Sequence, residues 1–80
     1  MERTMSNAKK TYSVELNHTH CDNLSGQHTF KCYRDNDGTW YADAPSFGCS
    51  KNYRMPEIAI AQMVADHGCQ LIKIIEISSH

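Results

Sequence analysis

No apolar run in this 80-residue chain approaches the ~20 residues needed to span a bilayer, so no membrane contact is expected. The opening decapeptide, MERTMSNAKK, has no apolar core and does not read as a secretory signal. Charge of one sign is also missing. Eight basic and nine acidic residues leave a formal net charge of -1, and no long-range field draws the chain toward nucleic acid. There is no C-x-x-C or H-x-x-x-H pair, no Gly-rich phosphate loop and no paired carboxylates. Repeats and low-complexity segments are absent as well. These gaps argue against an enzyme of familiar type, and no cofactor is expected. They point to a cytoplasmic chain whose four cysteines stay reduced.

What remains is ordinary globular composition, 40% hydrophobic and 21% charged, in one short domain with a thin stability margin. Residues 1–10 lack periodicity and read as a flexible tail; residues 11–80 carry the domain. Tyr12, Val14, Leu16, His18 and His20 alternate with polar residues, the signature of a half-buried strand. CDNLSGQ (21–27) is a loop by composition. His28, Phe30 and Cys32 then alternate with Thr29, Lys31 and Tyr33. Setting His20 opposite His28 places Leu16 against Cys32 and Glu15 against Tyr33, with one face apolar and the other polar.

The next reversal is sharper. A three-residue loop, Asn36-Asp37-Gly38, sets Cys32 against Ala42, Phe30 against Ala44, Tyr33 against Tyr41 and Lys31 against Asp43. It also asks for glycine at its last position, in the left-handed conformation. Trp40, Ala42 and Ala44 then face the core, while Tyr41 and Asp43 face away. Pro45 ends the strand. SFGCSKNYR (46–54) reads as a loop, with Gly48-Cys49 a tight turn and the cysteine turned inward. Pro56 opens a helix that runs to about His67, with Gly68 as its C-cap. Its core stripe is Ile60, Met63, Val64 and His67, flanked by Ile58, Ala59 and Ala61. The last run, 69–78, is a strand with imperfect alternation: either it is buried on both faces, or a bulge shifts its phase. The expected fold is α+β in the order β-β-β-α-β, a three-stranded antiparallel meander, a covering helix and a fourth strand.

Gly38, Trp40-Tyr41-Ala42, Pro45, Gly48-Cys49 and the helix opening at Pro56 resemble the core of HicB antitoxins over residues 28–77. The resemblance implies a partial double-stranded-RNA-binding-domain topology and a stoichiometric binder of a partner protein. The helix entry YRMPEIAIAQ departs from that family's Thr-x-x-Glu-Ala pattern. No helix-turn-helix or ribbon-helix-helix segment follows the last strand here, so operator binding is not carried over. By analogy of size and charge, phage-encoded inhibitors such as anti-CRISPR proteins belong to the same broad class.

Several residue sets are candidate sites. Tyr33 and Tyr41, flanked by Lys31 and Asp43, fall on the uncovered sheet face. They read as a partner anchor, as a stacking platform for bases, or as a pair that only steadies the hairpin. Lys51, Tyr53 and Arg54 form the best basic-aromatic cluster, which also reads as a solvated loop. His18, His20, Cys21, His28 and Cys32 are zinc-type ligands without zinc-type spacing. The plainer reading makes the histidines strand-end residues and Cys32 a small core residue. Cys49 is a nucleophile candidate with no base fixed beside it. The expected partner is another protein, with an RNA or a second copy of the chain as alternatives.

Overall fold

The computed structural model describes residues 8–18 and 22–79. In chain order it contains β1 (Lys9–Asn17), a 3-10 turn (Asp22–Leu24), β2 (Gly26–Arg34), β3 (Trp40–Ala44), β4 (Gly48–Cys49), α1 (Pro56–Asp66) and β5 (Gln70–Ser79). All five strands form one antiparallel sheet in the order β4-β3-β2-β1-β5. The α+β class and the single covering helix agree with the sequence reading. The strand inventory is corrected: a two-residue strand, β4, lies inside the segment read as a loop.

Alternation decides the faces. Tyr12, Val14 and Leu16 from β1, Phe30 and Cys32 from β2, and Ala42 and Ala44 from β3 are all buried. Against them α1 packs Ala59, Ile60, Met63 and Val64. The small Ala42, Ala44 and Ala59 side chains let the helix approach the sheet closely. Ile58 is half-buried and Ala61 exposed, while His67 is exposed as a residue and belongs to the helix end instead of the core stripe. Pro56 and Glu57 occupy the first helical turn, as the dipole favours. The helix ends in a Schellman arrangement, with Gly68 N–H donating to Ala65 O and Cys69 N–H to Val64 O, both at 3.0 Å. The Tyr12 hydroxyl donates to Glu57 Oε2 at 3.3 Å and so ties the sheet to that first turn.

The β2–β3 hairpin has the expected register: Lys31↔Asp43, Cys32↔Ala42, Tyr33↔Tyr41 and Arg34↔Trp40. Asp35 N–H donates to Thr39 O and Gly38 N–H to Asp35 O. Gly38 has φ +86°, which a side chain resists, although the space around a Cβ there is open to 4.0 Å. Asp37 accepts from both the backbone N–H and the hydroxyl of Thr39, and these bonds hold its carboxyl below the ordinary 3.8.

The β1–β2 register differs. His28 lies opposite Val14, not His20, and Tyr33 lies opposite Lys9, not Glu15. The slide is six residues along β1. A slide by an even number leaves every side chain on its own face, so the apolar pattern is satisfied either way. The connection is closed by His18 N–H donating to Ser25 Oγ at 3.1 Å and by the 3-10 turn. The expected tail boundary also moves, because Lys9 and Lys10 belong to β1 and Arg34 N–H donates to Ala8 O. At the other side of β1, β5 keeps its pairing through two register shifts, between Thr11 and Tyr12 and between Glu15 and Leu16. Of the two alternatives for the last strand, the bulged one is found.

Candidate functional site

With α1 covering one face of the sheet, the other is left open among the described residues. Ladder partners point to the same face, so Tyr41, Tyr33 and Lys9 form a row across β3, β2 and β1. The tyrosine rings pack with centroids 5.4 Å apart and planes tilted by 33°, within the range of favourable aromatic pairs. Lys9 Nζ sits 5.9 Å from the Tyr33 centroid, in cation–π range. Asp43 and Lys31 form the next row, directly opposite each other. The pair is bordered by two shallow depressions. One, of about 280 Å³, is lined by Thr29, Lys31, Tyr33, Asp43 and Pro45. The other, of about 350 Å³, is lined by residues that include Lys9, Tyr33, Arg34 and Tyr41. Local desolvation, with smaller contributions from Asp35 and other neighbours, raises the Tyr41 pKa. Its phenol is therefore a neutral hydrogen-bonding group.

The sequence missed Lys9. Placed in the tail, it carried no apolar signal, and the expected register put Glu15 beside Tyr33. The actual partner reverses the local charge at the tyrosines from acidic to basic.

Trp40 lies on the covered side as expected, half-buried at the rim, with Lys10 Nζ 5.6 Å from its ring. Tyr53 is not a loop residue free to meet a partner. Its backbone forms a two-way bridge with Trp40, and its ring packs against the core. Lys51 and Arg54 are exposed. Lys51 and Tyr53 line a groove of about 420 Å³ between this segment and α1, floored by Phe47 and Met63. The seven expected contact residues therefore fall into two groups: Lys31, Tyr33, Tyr41 and Asp43 on the open face, and Lys51, Tyr53 and Arg54 along the β4 edge.

Of the metal candidates, His18, His28 and Cys32 are described, and they are not brought together as a metal-binding group. His18 Nε2–H donates to His67 O at 3.0 Å, and His28 Nε2–H donates to Leu24 O at 3.1 Å. Cys32 is fully buried, and burial, with a smaller contribution from Glu57, pushes its thiol up to about 12. Among the described residues no group of three or more His, Cys, Asp or Glu is placed to hold a metal ion. His20 and Cys21 lie outside the described residues.

Cys49 is exposed rather than turned inward, although Gly48 before it does turn with φ +83°. Desolvation raises the Cys49 pKa, and the charge of Asp43 and a hydrogen bond to it act in the same direction. That is the reverse of the activation a nucleophilic thiol needs. Phe47, which the sequence reading left in a loop, is a core residue. It is 8% exposed, and its ring meets His28, Phe30 and His67 at 4.8–5.3 Å.

A scan against protein-family models, a search of curated proteins and a search of solved structures returned no match to the chain. No helix among the described residues is long and apolar enough to cross a membrane.

Proposed function

We propose that this chain is a small non-enzymatic protein-binding module, a stoichiometric inhibitor or antitoxin-like binder that occludes a partner's surface with its open sheet face. The observation that carries the reading is the packed Tyr33–Tyr41 pair on that face, with Lys9, Lys31 and Asp43 around it. Aromatic anchors set among polar residues are what interface hot spots are made of. A rigid hairpin holds both rings, so little conformational entropy is lost when a partner covers them. The resemblance of residues 28–77 to HicB antitoxins belongs to the same proposal. A second reading draws on Lys9 above Tyr33: stacked tyrosines with lysines beside them also suit the bases and phosphates of a single-stranded RNA.

The test is affinity capture from a lysate of the native host, with and without nuclease. Tyr33→Ala combined with Tyr41→Ala should lower capture about tenfold or more while leaving the melting curve close to that of the parent. Capture that survives this pair and fails after Lys51→Ala with Arg54→Ala would move the contact to the β4 edge. Loss of capture on nuclease treatment, with a steep salt dependence, would select the RNA reading.

A further inference from the structure

We propose that the partner segment held by the tyrosine row is proline-rich and lies over it in the polyproline II conformation; this rests on the reading of that face as a protein contact. Tyr33 forms a ridge between the two depressions, because it lines both. Along β2 and the residue after it, the first depression is lined from Thr29 to Tyr33 and the second from Tyr33 to Asp35. Along β3 and Pro45, the first takes Asp43 and Pro45 and the second takes Tyr41. On both strands the two centres are therefore displaced by about three residues, roughly 10 Å. A polyproline II helix repeats every third residue at about 3.1 Å per residue, which is about 9.3 Å per turn. Two prolines one turn apart thus fall one on each side of the Tyr33 ring. A flat strand does not fit in the same way, since its side chains return to one face every second residue, at about 6.7 Å.

The polar groups of the face select the same ligand. Asp43 is engaged by the Cys49 thiol, and Asp35 accepts from Asn52 Nδ2. The hydroxyls of Thr29, Tyr33 and Tyr41 and the ammonium groups of Lys9 and Lys31 have no hydrogen-bond or ion-pair partner among the described residues. The face therefore has donors to spare, while its acceptors are in use. A polyproline II segment is the converse: proline has no N–H, and the carbonyls bond to nothing within the helix. An α-helix or a paired strand satisfies its own carbonyls and would leave these donors unused. Charge does not favour an anionic ligand. Each depression carries one lysine and one aspartate, Lys31 with Asp43 and Lys9 with Asp35, while the Arg34 guanidinium reaches toward Gly38. Tyr41 keeps its proton, since desolvation raises its pKa, and so remains a donor to a ligand carbonyl. The packed ring pair also meets a ligand that has little conformational freedom to lose.

The test reads backbone amide chemical shifts of the full chain while a decaproline peptide is added up to about 2 mM, where even a millimolar complex is more than half formed. Saturable shifts should gather at residues 29–35 and 41–45. A glycine-serine peptide of the same length should cause none. Tyr33→Ala, which removes the ridge, should weaken binding about tenfold or more. Tyr41→Phe, which keeps the ring and loses the donor, should weaken it about threefold to tenfold. Tyr41→Phe should melt like the parent, so it decides the matter if Tyr33→Ala unfolds. No saturable shift at the highest concentration overturns the proposal, as do shifts confined to residues 47–53 and 62–67, or binding by Tyr41→Phe equal to that of the parent. A single-stranded oligouridylate that binds these residues more tightly than decaproline overturns it too and selects the RNA reading. Lysate capture separates this inference from the reading beneath it. Capture that still needs both tyrosines, beside a peptide that does not bind, leaves the face a protein contact for a ligand of other chemistry. Capture that ignores both tyrosines removes the reading and the inference together.

Discussion

The Cys32 thiol is sealed from solvent beneath α1, with its pKa pushed up from 9.0 to about 12 mainly by burial. Tyr12 beside it is raised above its ordinary 10.0, first by burial and then by the charges of Glu57 and Glu76. Both groups are proton-bound in the folded and unfolded chains well below pH 9.0, and the stability they allow is present there in full. As pH rises from there toward 12 the unfolded chain releases protons that the folded chain keeps, so stability falls. Each such group contributes at most about 1.4 kcal/mol per pH unit. Thermal melts between about pH 8.5 and about pH 10.5 should therefore show a falling midpoint. Cys32→Ala should lower stability at neutral pH by about 1 kcal/mol and flatten the alkaline decline. An unchanged slope in that variant would mean that the thiol ionises freely in the folded chain.

At the scale of elements, the β3–β4 hairpin depends on one side chain. Phe47 N–H donates to Ala44 O across the turn at Pro45, and the ring reaches the core between His28 and His67. Phe47→Ala should cost about 3 kcal/mol, read as a lower urea midpoint with an unchanged m-value. A cost under about 1 kcal/mol would place the ring outside the core. This hairpin was hidden in the sequence because a two-residue strand is too short to show alternation, and its anchor is set among turn residues. The neighbouring reversal was legible because Asn36-Asp37-Gly38 fixes both loop length and backbone conformation, and with them the Tyr33–Tyr41 pairing. The β1–β2 pairing was half legible. Period-two alternation gave the faces, but it cannot distinguish slides of two, four or six residues. The closing contact between His18 and Ser25 leaves no pattern to read. That ambiguity is why Lys9 was not expected beside the tyrosines. In α1, the stripe was readable at Ile60, Met63 and Val64 and overran at His67, whose ring turns back to donate to Met63 O at 2.9 Å.

Over the whole molecule, a net charge of -1 and a single covering helix leave one broad sheet surface that no other element covers among the described residues. Its negative residues are matched locally, Asp43 opposite Lys31 and Glu15 opposite Lys73, so the surface offers packing and hydrogen bonds more than a long-range field. At its centre Thr11, Ser13 and Thr29 present small hydroxyl side chains that a partner can approach closely. At one end it carries the tyrosine row, at the other Ile75 and the β5 edge. The measurement that bears most directly on the central claim is amide hydrogen exchange of the chain alone and bound to its captured protein partner. Slowed exchange concentrated at residues 31–33 and 41–43 is the predicted footprint. Protection confined to residues 50–54 and α1, with the tyrosine strands unchanged, would contradict it.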